Sequence, residues 1–138
     1  MHEVGNPTGR LVTYRIVPPV SDENAPAAAA DLRATIVATP GAVVVVSDLS
    51  AARAFSQATT DRFVQLMKSD NPKIHRSALL VSPESATLGM QLARMLKEAA
   101  HPARRAFTDA RELVAWLAPD LNESERAALD VFLSRSSA

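Results

Sequence analysis

The chain has no cysteine. Disulfides, thiolate metal sites and a cysteine nucleophile are therefore excluded. Glycine is scarce, at four residues. Neither G-x-G-x-x-G nor a P-loop pattern occurs among them, which removes the common glycine-rich phosphate cradles. There is no surplus of charge: 15 basic and 15 acidic residues cancel. Without a basic excess to neutralise a phosphate backbone, no nucleic-acid partner is expected. No apolar run reaches the ~18–20 residues of a membrane helix, so no membrane insertion is expected. The opening Met1-His2-Glu3-Val4-Gly5-Asn6 lacks the charged start and apolar stretch of a signal peptide, and the expectation is a cytoplasmic protein.

Chemistry-bearing patterns are also sparse. The three histidines among His2, His75 and His101 have no metal-ligand spacing. Ser47, His75 and Asp48 make a triad only on paper, because nothing resembles a nucleophile elbow. No catalytic residue, metal or cofactor is expected.

What the chain does contain is a layered pattern. Its 138 residues are 47% hydrophobic and suit one domain, residues 1–138. Ala42-Val43-Val44-Val45-Val46 runs without polar alternation into Ser47-Asp48-Leu49-Ser50. Such a run predicts a strand buried on both faces of an α/β sheet, with its polar exit at the carboxyl edge where open sheets keep ligands. Leu11–Val17 reads as a strand stopped by Pro18-Pro19. His2–Val4 reads as a short partner strand, with Gly5–Gly9 as the turn. A helix capped by Asp22 or Asn24 follows, with Leu32 and Ile36 inward, ending at Pro40-Gly41. Ser50–Ser56 fits either a loop or an irregular helix start.

Gln57–Lys68 is helical, with Phe63, Leu66 and Met67 on one face. Ile74–Val81 is a strand. Ser82-Pro83-Glu84 predicts a helix start, carrying Leu88, Leu92, Met95, Leu96 and Ala99 at helical spacing. Ala103–Phe107 is a strand, and Thr108 or Asp109 caps a helix with Leu113, Trp116 and Leu117 inward. Asn122 and Glu125 have capping-box spacing before a last helix over about 122–134. Ser134–Ala138 reads as a frayed tail. The alternation predicts a single α/β domain: a four- to five-stranded mixed, mostly parallel sheet with packed helices, plus an extra C-terminal helix.

Phe107-Thr108-Asp109-Ala110-Arg111-Glu112-Leu113-Val114-Ala115-Trp116-Leu117 resembles the closing segment of the SpoIIAA-like branch of the STAS domain superfamily. Such domains commonly end in a strand finishing on Phe, an acidic cap and a short helix closing on Trp-Leu. Val43–Leu49 is similar to their strand ending in Asp-Leu, and Val17–Glu23 falls where they leave the second strand for the first helix. The resemblance spans about residues 10–117. The alanine usual at the position of Leu113 is absent, as is an Asp-Ser-Ser-Gly-like phosphoswitch segment. The resemblance implies a bacterial regulatory module of anti-sigma-factor-antagonist type, non-enzymatic and acting by contact with another protein.

On that footing the candidate partner-binding or phosphoacceptor residues are Ser47, Asp48, Ser50, Ser56 and Thr59, with Thr60 beside them. The plainer reading of Ser47, Asp48 and Ser50 is a turn whose side chains bond the local backbone. Ser82 and Thr108, at the ends of the next strands, are explained by helix capping. Phe107 and Trp116 read as core anchors, and Arg104-Arg105 as a solvated pair. Leu129, Val131, Phe132 and Leu133 make the last helix apolar nearly all round, so it docks on its own domain or pairs with a second copy. A second class of function is a small-ligand carrier holding a lipid or nucleotide between sheet and helices. A third, a small enzyme, requires an apolar cavity with converging polar groups.

Overall fold

The valine run forms the middle strand of a five-stranded sheet. A computed structural model describes residues 2–16 and 23–136. The elements in chain order are β1 (His2–Thr8), β2 (Leu11–Ile16), α1 (Ala25–Ala38), β3 (Val43–Asp48), α2 (Gln57–Asp70), β4 (Ile74–Leu80), α3 (Ala86–Ala99), β5 (Arg104–Phe107), α4 (Ala110–Leu117) and α5 (Glu123–Ser136). Short 3-10 turns at Asn71–Lys73 and Ala118–Asp120 lead into β4 and towards α5. The strands lie in sequence order, with β1 antiparallel to β2 and β2 to β5 mutually parallel. The chain is thus a single α/β unit with an added C-terminal helix. No described helix is long and apolar enough to cross a membrane.

Sequential order decides which face each helix covers. Parallel crossovers of constant hand that always step the same way must lie on the same side of the sheet. Accordingly α1, α2 and α3 share one face. There Val12, Tyr14, Val43 and Val45 pack against Leu32, Phe63, Leu92 and Met95. The other face carries Leu11, Val44, Val46 and Leu80, closed by Leu113, Leu117, Leu129 and Phe132 of α4 and α5. Val43, Val44, Val45 and Val46 are each 3% exposed or less. Burying a side chain of that size is worth about 1.5–3 kcal/mol.

The last helix is clasped to the first hairpin. Asn122 and Glu125 form the expected reciprocal box: Glu125 N–H donates to Asn122 Oδ1 at 2.8 Å, and Asn122 N–H to Glu125 Oε1 at 2.9 Å. The other carboxylate oxygen accepts from the Arg10 N–H at 2.7 Å. Arg10 also donates from its guanidinium to the Asp120 carbonyl at 2.8 Å. Gly9 turns beneath with φ +55°, and a Cβ there would clash with Glu125 Oε2. Glycine is required here both by backbone sign and by the approach of the carboxylate.

Several boundaries differ from the sequence expectation. The turn expected at Gly5–Gly9 is narrower, since β1 runs on through Thr8 with an irregularity between Gly5 and Thr8. Pro7 is tolerated because β1 is an edge strand, and Asn6 donates to the Gly9 and Leu11 carbonyls across the bulge. The helix expected from Ser82 begins at Ala86. Ser82 instead closes a reverse turn, its carbonyl accepting from Ser85 N–H and its hydroxyl from Glu84 N–H. Of the two expected caps for α1, Asn24 holds the position. Asp22 and the Val17–Asp22 segment lie outside the described residues, as do Ser137 and Ala138 of the expected tail. In α5, Leu129, Phe132 and Leu133 are buried in the domain's own second core, and Val131 is exposed.

Glu125→Gln, which keeps volume but replaces an accepting oxygen with a donor, is expected to cost about 1–3 kcal/mol in urea unfolding. Gly9→Ala is expected to lose at least about 1 kcal/mol. The Gly9→Ala/Glu125→Ala pair should be less than additive, because truncating the carboxylate removes the clash.

Candidate functional site

The polar exit of β3 is interior, not open. Ser47 and Asp48 are 7% and 3% exposed. Asp48 faces the α4–α5 side, where its Oδ2 accepts from Arg15 Nε at 3.0 Å. Its Oδ1 accepts from the Ser50 N–H at 3.0 Å and the Ser50 hydroxyl at 2.5 Å. Sheet register sets the charge pair, since Arg15 stands directly opposite both Glu3 and Asp48. Arg15 also donates to the Phe132 carbonyl at 2.6 Å and lies 4.2 Å over the Phe132 ring. A cation at the end of α5 meets the negative pole of that helix. These contacts fasten α5 over the sheet.

The following loop, residues 49–56, settles the ambiguous stretch as loop rather than helix. Its feet are apolar and buried: Leu49, Ala52 and Phe55. Leu49 N–H donates to the Leu80 carbonyl. Gln91 of α3 grips the Phe55 backbone twice, accepting from its N–H at 2.9 Å and donating to its carbonyl at 2.8 Å. Arg53, Ala54 and Ser56 are exposed. Ser56 is the N-cap of α2, accepting from Thr59 N–H at 3.1 Å. The five sequence candidates thus separate. Ser47 and Thr59 are buried, Asp48 and Ser50 bond each other, and Ser56 alone among them is exposed. Of the wider polar rim, Ser82 closes its turn, and Thr108 is exposed next to Asp109, which caps α4 by accepting from Arg111 N–H at 2.8 Å.

A second constellation lies on the other face, and sequence reasoning missed it. Between the sheet and α1–α3 is a cavity of about 50 Å³. Its walls are largely apolar, and Tyr14, Ser47, Ser77, Asp70 and Arg104 reach it. Tyr14 is 2% exposed and Asp70 is 5% exposed. Among the described residues neither the Tyr14 hydroxyl nor Asp70 Oδ2 has a hydrogen-bond partner. Buried polar atoms without partners are uncommon, and each calls for a cause.

The charge balance of this cavity follows from its position. Asp70 ends α2, so its carboxylate sits at the negative pole of the helix and out of water. Burial raises its pKa, although Arg33 and Arg104 pull it down. Burial pushes the Arg104 guanidinium down to about 10, with Asp70 opposing. Arg104, expected as a solvated residue, donates to Asn71 Oδ1 at 3.1 Å and the Met67 carbonyl at 3.0 Å. It thereby bonds a carbonyl in the last turn of α2, where a cation is favoured. Burial also raises the Tyr14 phenol far above its ordinary value, so it stays protonated.

The remaining singled-out residues are tied up locally. His75 contacts Asp120 at 3.1 Å, and Arg76 Nε lies 2.7 Å from the same carboxylate. The His75 hydrogen bond, with Arg76 helping, holds the Asp120 carboxyl below its ordinary value. Arg76 also lies 4.6 Å over Trp116, whose ring packs at 5.5 Å on Phe107. His101 bonds the Ile74 carbonyl and accepts from Ala103 N–H. Among the described residues no three His, Asp or Glu side chains gather to hold a metal.

No family model, no curated protein and no solved structure matches the chain.

Removing one member of a buried ion pair leaves the other uncompensated, so Arg15→Met is expected to cost about 3–5 kcal/mol. Hydrogen exchange should rise in the last turn of α5, which Arg15 fastens. Asp70→Asn should act oppositely. A raised carboxyl pKa means the folded protein binds more protons than the unfolded chain, so stability falls as pH climbs from the ordinary value of about 3.9. The variant should therefore melt above wild type at pH 7. The gap should close on acidification towards pH 4, as read by thermal melts.

Proposed function

We propose that this chain is a STAS-like, SpoIIAA-like regulatory module of bacterial, cytoplasmic type that works by binding another protein. Its contact surface is the loop 49–56 with the N-terminus of α2. The observation that carries the reading is how that loop is built. Leu49, Ala52, Phe55 and Gln91 pin it, while Arg53 and Ser56 are presented outward. A surface held in one conformation loses little entropy on docking. Met90, next to Gln91 in the chain, is 76% exposed and is an apolar side chain available on the same helix.

Support for the family reading comes from the closing segment. Phe107 ends β5, Asp109 caps α4, and α4 finishes on Trp116-Leu117. The partner in this reading is a different protein, since the apolar face of α5 that suggested pairing with a second copy spends Leu129, Phe132 and Leu133 on its own core.

Ser56 is the residue of this surface suited to control by phosphorylation. A phosphate at the N-cap of a 14-residue helix meets the backbone amides of the first turn and the positive pole. Ser50 is unsuited, since its hydroxyl donates to the buried Asp48 carboxylate and a phosphate there would face a like charge. Asn and Asp cap a helix equally well. Comparing Ser56→Asn with Ser56→Asp therefore isolates charge from capping. In pull-downs from a native lysate, a partner held by wild type and Ser56→Asn is expected to be lost at least about tenfold with Ser56→Asp, while both variants melt alike. Equal recovery by the two variants, or no specific partner with either, overturns the reading. Ser50→Asp is expected to lower the melting temperature instead.

A further inference from the structure

The cavity under α1–α3 is not needed by a docking surface on the loop. It also costs stability. A void forfeits contacts on its lining, and unpartnered buried polar groups add a desolvation penalty of about 1–3 kcal/mol each. Both terms meet here: the Tyr14 hydroxyl and Asp70 Oδ2 are buried without partners among the described residues, and both residues line one space of about 50 Å³. Each side chain is more than nine-tenths buried.

We propose that this cavity is a binding site for a small, uncharged, mainly apolar molecule with a hydroxyl or carboxamide head. The head sits between Asp70 and Arg104, donating to the carboxylate and accepting from the guanidinium. The Tyr14 hydroxyl serves a second polar atom of the ligand, or its head in a shorter one.

Charge decides against an ionic ligand. The charged residues lining the cavity are one carboxylate, Asp70, and one guanidinium, Arg104; Arg33, which also acts on Asp70, is exposed on α1, where water screens its charge. Their electrostatic coupling is felt at both groups, yet among the described residues they form no ion pair. A group that donates on one side and accepts on the other completes both without changing the net charge. An ammonium or carboxylate head would instead leave one buried charge uncompensated, which is costly. Tyr14, kept protonated by burial, can donate or accept.

Size and access follow from the walls. A water-sized group occupies about 10–15 Å³ on this measure, so the space takes only a few heavy atoms before the helices shift. Leu66, Met67, Leu92 and Met95 supply the apolar lining. Leu66 also lines an outer groove of about 490 Å³ between α1 and α2. The groove walls include the short side chains of Ala29, Ala30 and Ala58. Leu66 is the lining residue common to the cavity and the groove, so its rotation offers the path inward.

The test uses full-length protein and four probes matched in size: n-butanol and propionamide as neutral heads, propionate and butylammonium as charged ones. Ligand-detected NMR and thermal shift report binding. The neutral probes are expected to bind at least tenfold more tightly than either charged one. Asp70→Asn folds without the carboxylate and is expected to bind n-butanol at least several-fold more weakly. Tyr14→Phe, which removes only the hydroxyl, should weaken propionamide while leaving the fold intact. Either of two binding results overturns the proposal: no neutral probe binding at 10-millimolar order, or neutral binding unchanged in both variants. A crystal structure in which water alone fills the cavity, undisplaced by n-butanol, overturns it equally.

Discussion

The whole molecule answers to the need to cover both faces of β3. Four valines in succession point alternately up and down, so neither side of the sheet can face water. Three crossover helices stepping in one direction cover one side only. The second side must be covered by chain that follows the last strand, and α4 and α5 do this. The extra C-terminal helix is therefore part of the fold's closure, not an appendage. Its attachment is correspondingly strong: Glu125 takes the Arg10 amide at one end and Arg15 takes the Phe132 carbonyl at the other.

That closure changes the meaning of the carboxyl edge of the sheet. In an open α/β sheet the polar residues after a buried strand are free to meet a ligand. Here α5 packs on β1 and β2, and Arg15 of β2 reaches both Phe132 and Asp48, so Asp48 is enclosed and its charge is spent on Arg15 and Ser50. Outward polar side chains stand farther along the chain, in the loop beyond, where apolar feet alternate with exposed Arg53 and Ser56. A rigid loop over a well-packed edge suits recognition of another protein surface.

The opposite face shows a different economy. Most of its surface is close-packed, yet Asp70, Arg104 and Tyr14 converge on a void among leucines and methionines. A carboxylate at the carboxyl end of its own helix, buried and short of partners, works against the fold locally. Natural sequences keep such conflicts mainly where function needs them. This contrast separates the two polar clusters: the Asp48 cluster is satisfied and structural, whereas the Asp70 cluster is unsatisfied.

Local pattern alone determined the parts with short-range causes. The valine run specified a two-faced strand; Leu88, Leu92, Met95 and Ala99 specified the inward stripe of α3; Asn122 and Glu125 specified their own box. Ser82-Pro83-Glu84 predicts too early a start for α3 because it serves a turn as readily as a helix, and the choice falls to Ser85 and its carbonyl partner at Ala52. Tertiary structure alone decided what depends on residues far apart in the chain. Arg104 reaches Met67, His75 and Arg76 meet Asp120, and Tyr14, Asp70 and Arg104 share one cavity. Burial and electrostatic pairing are properties of position in space. Periodicity carries the direction in which a side chain points, but not what it finds there.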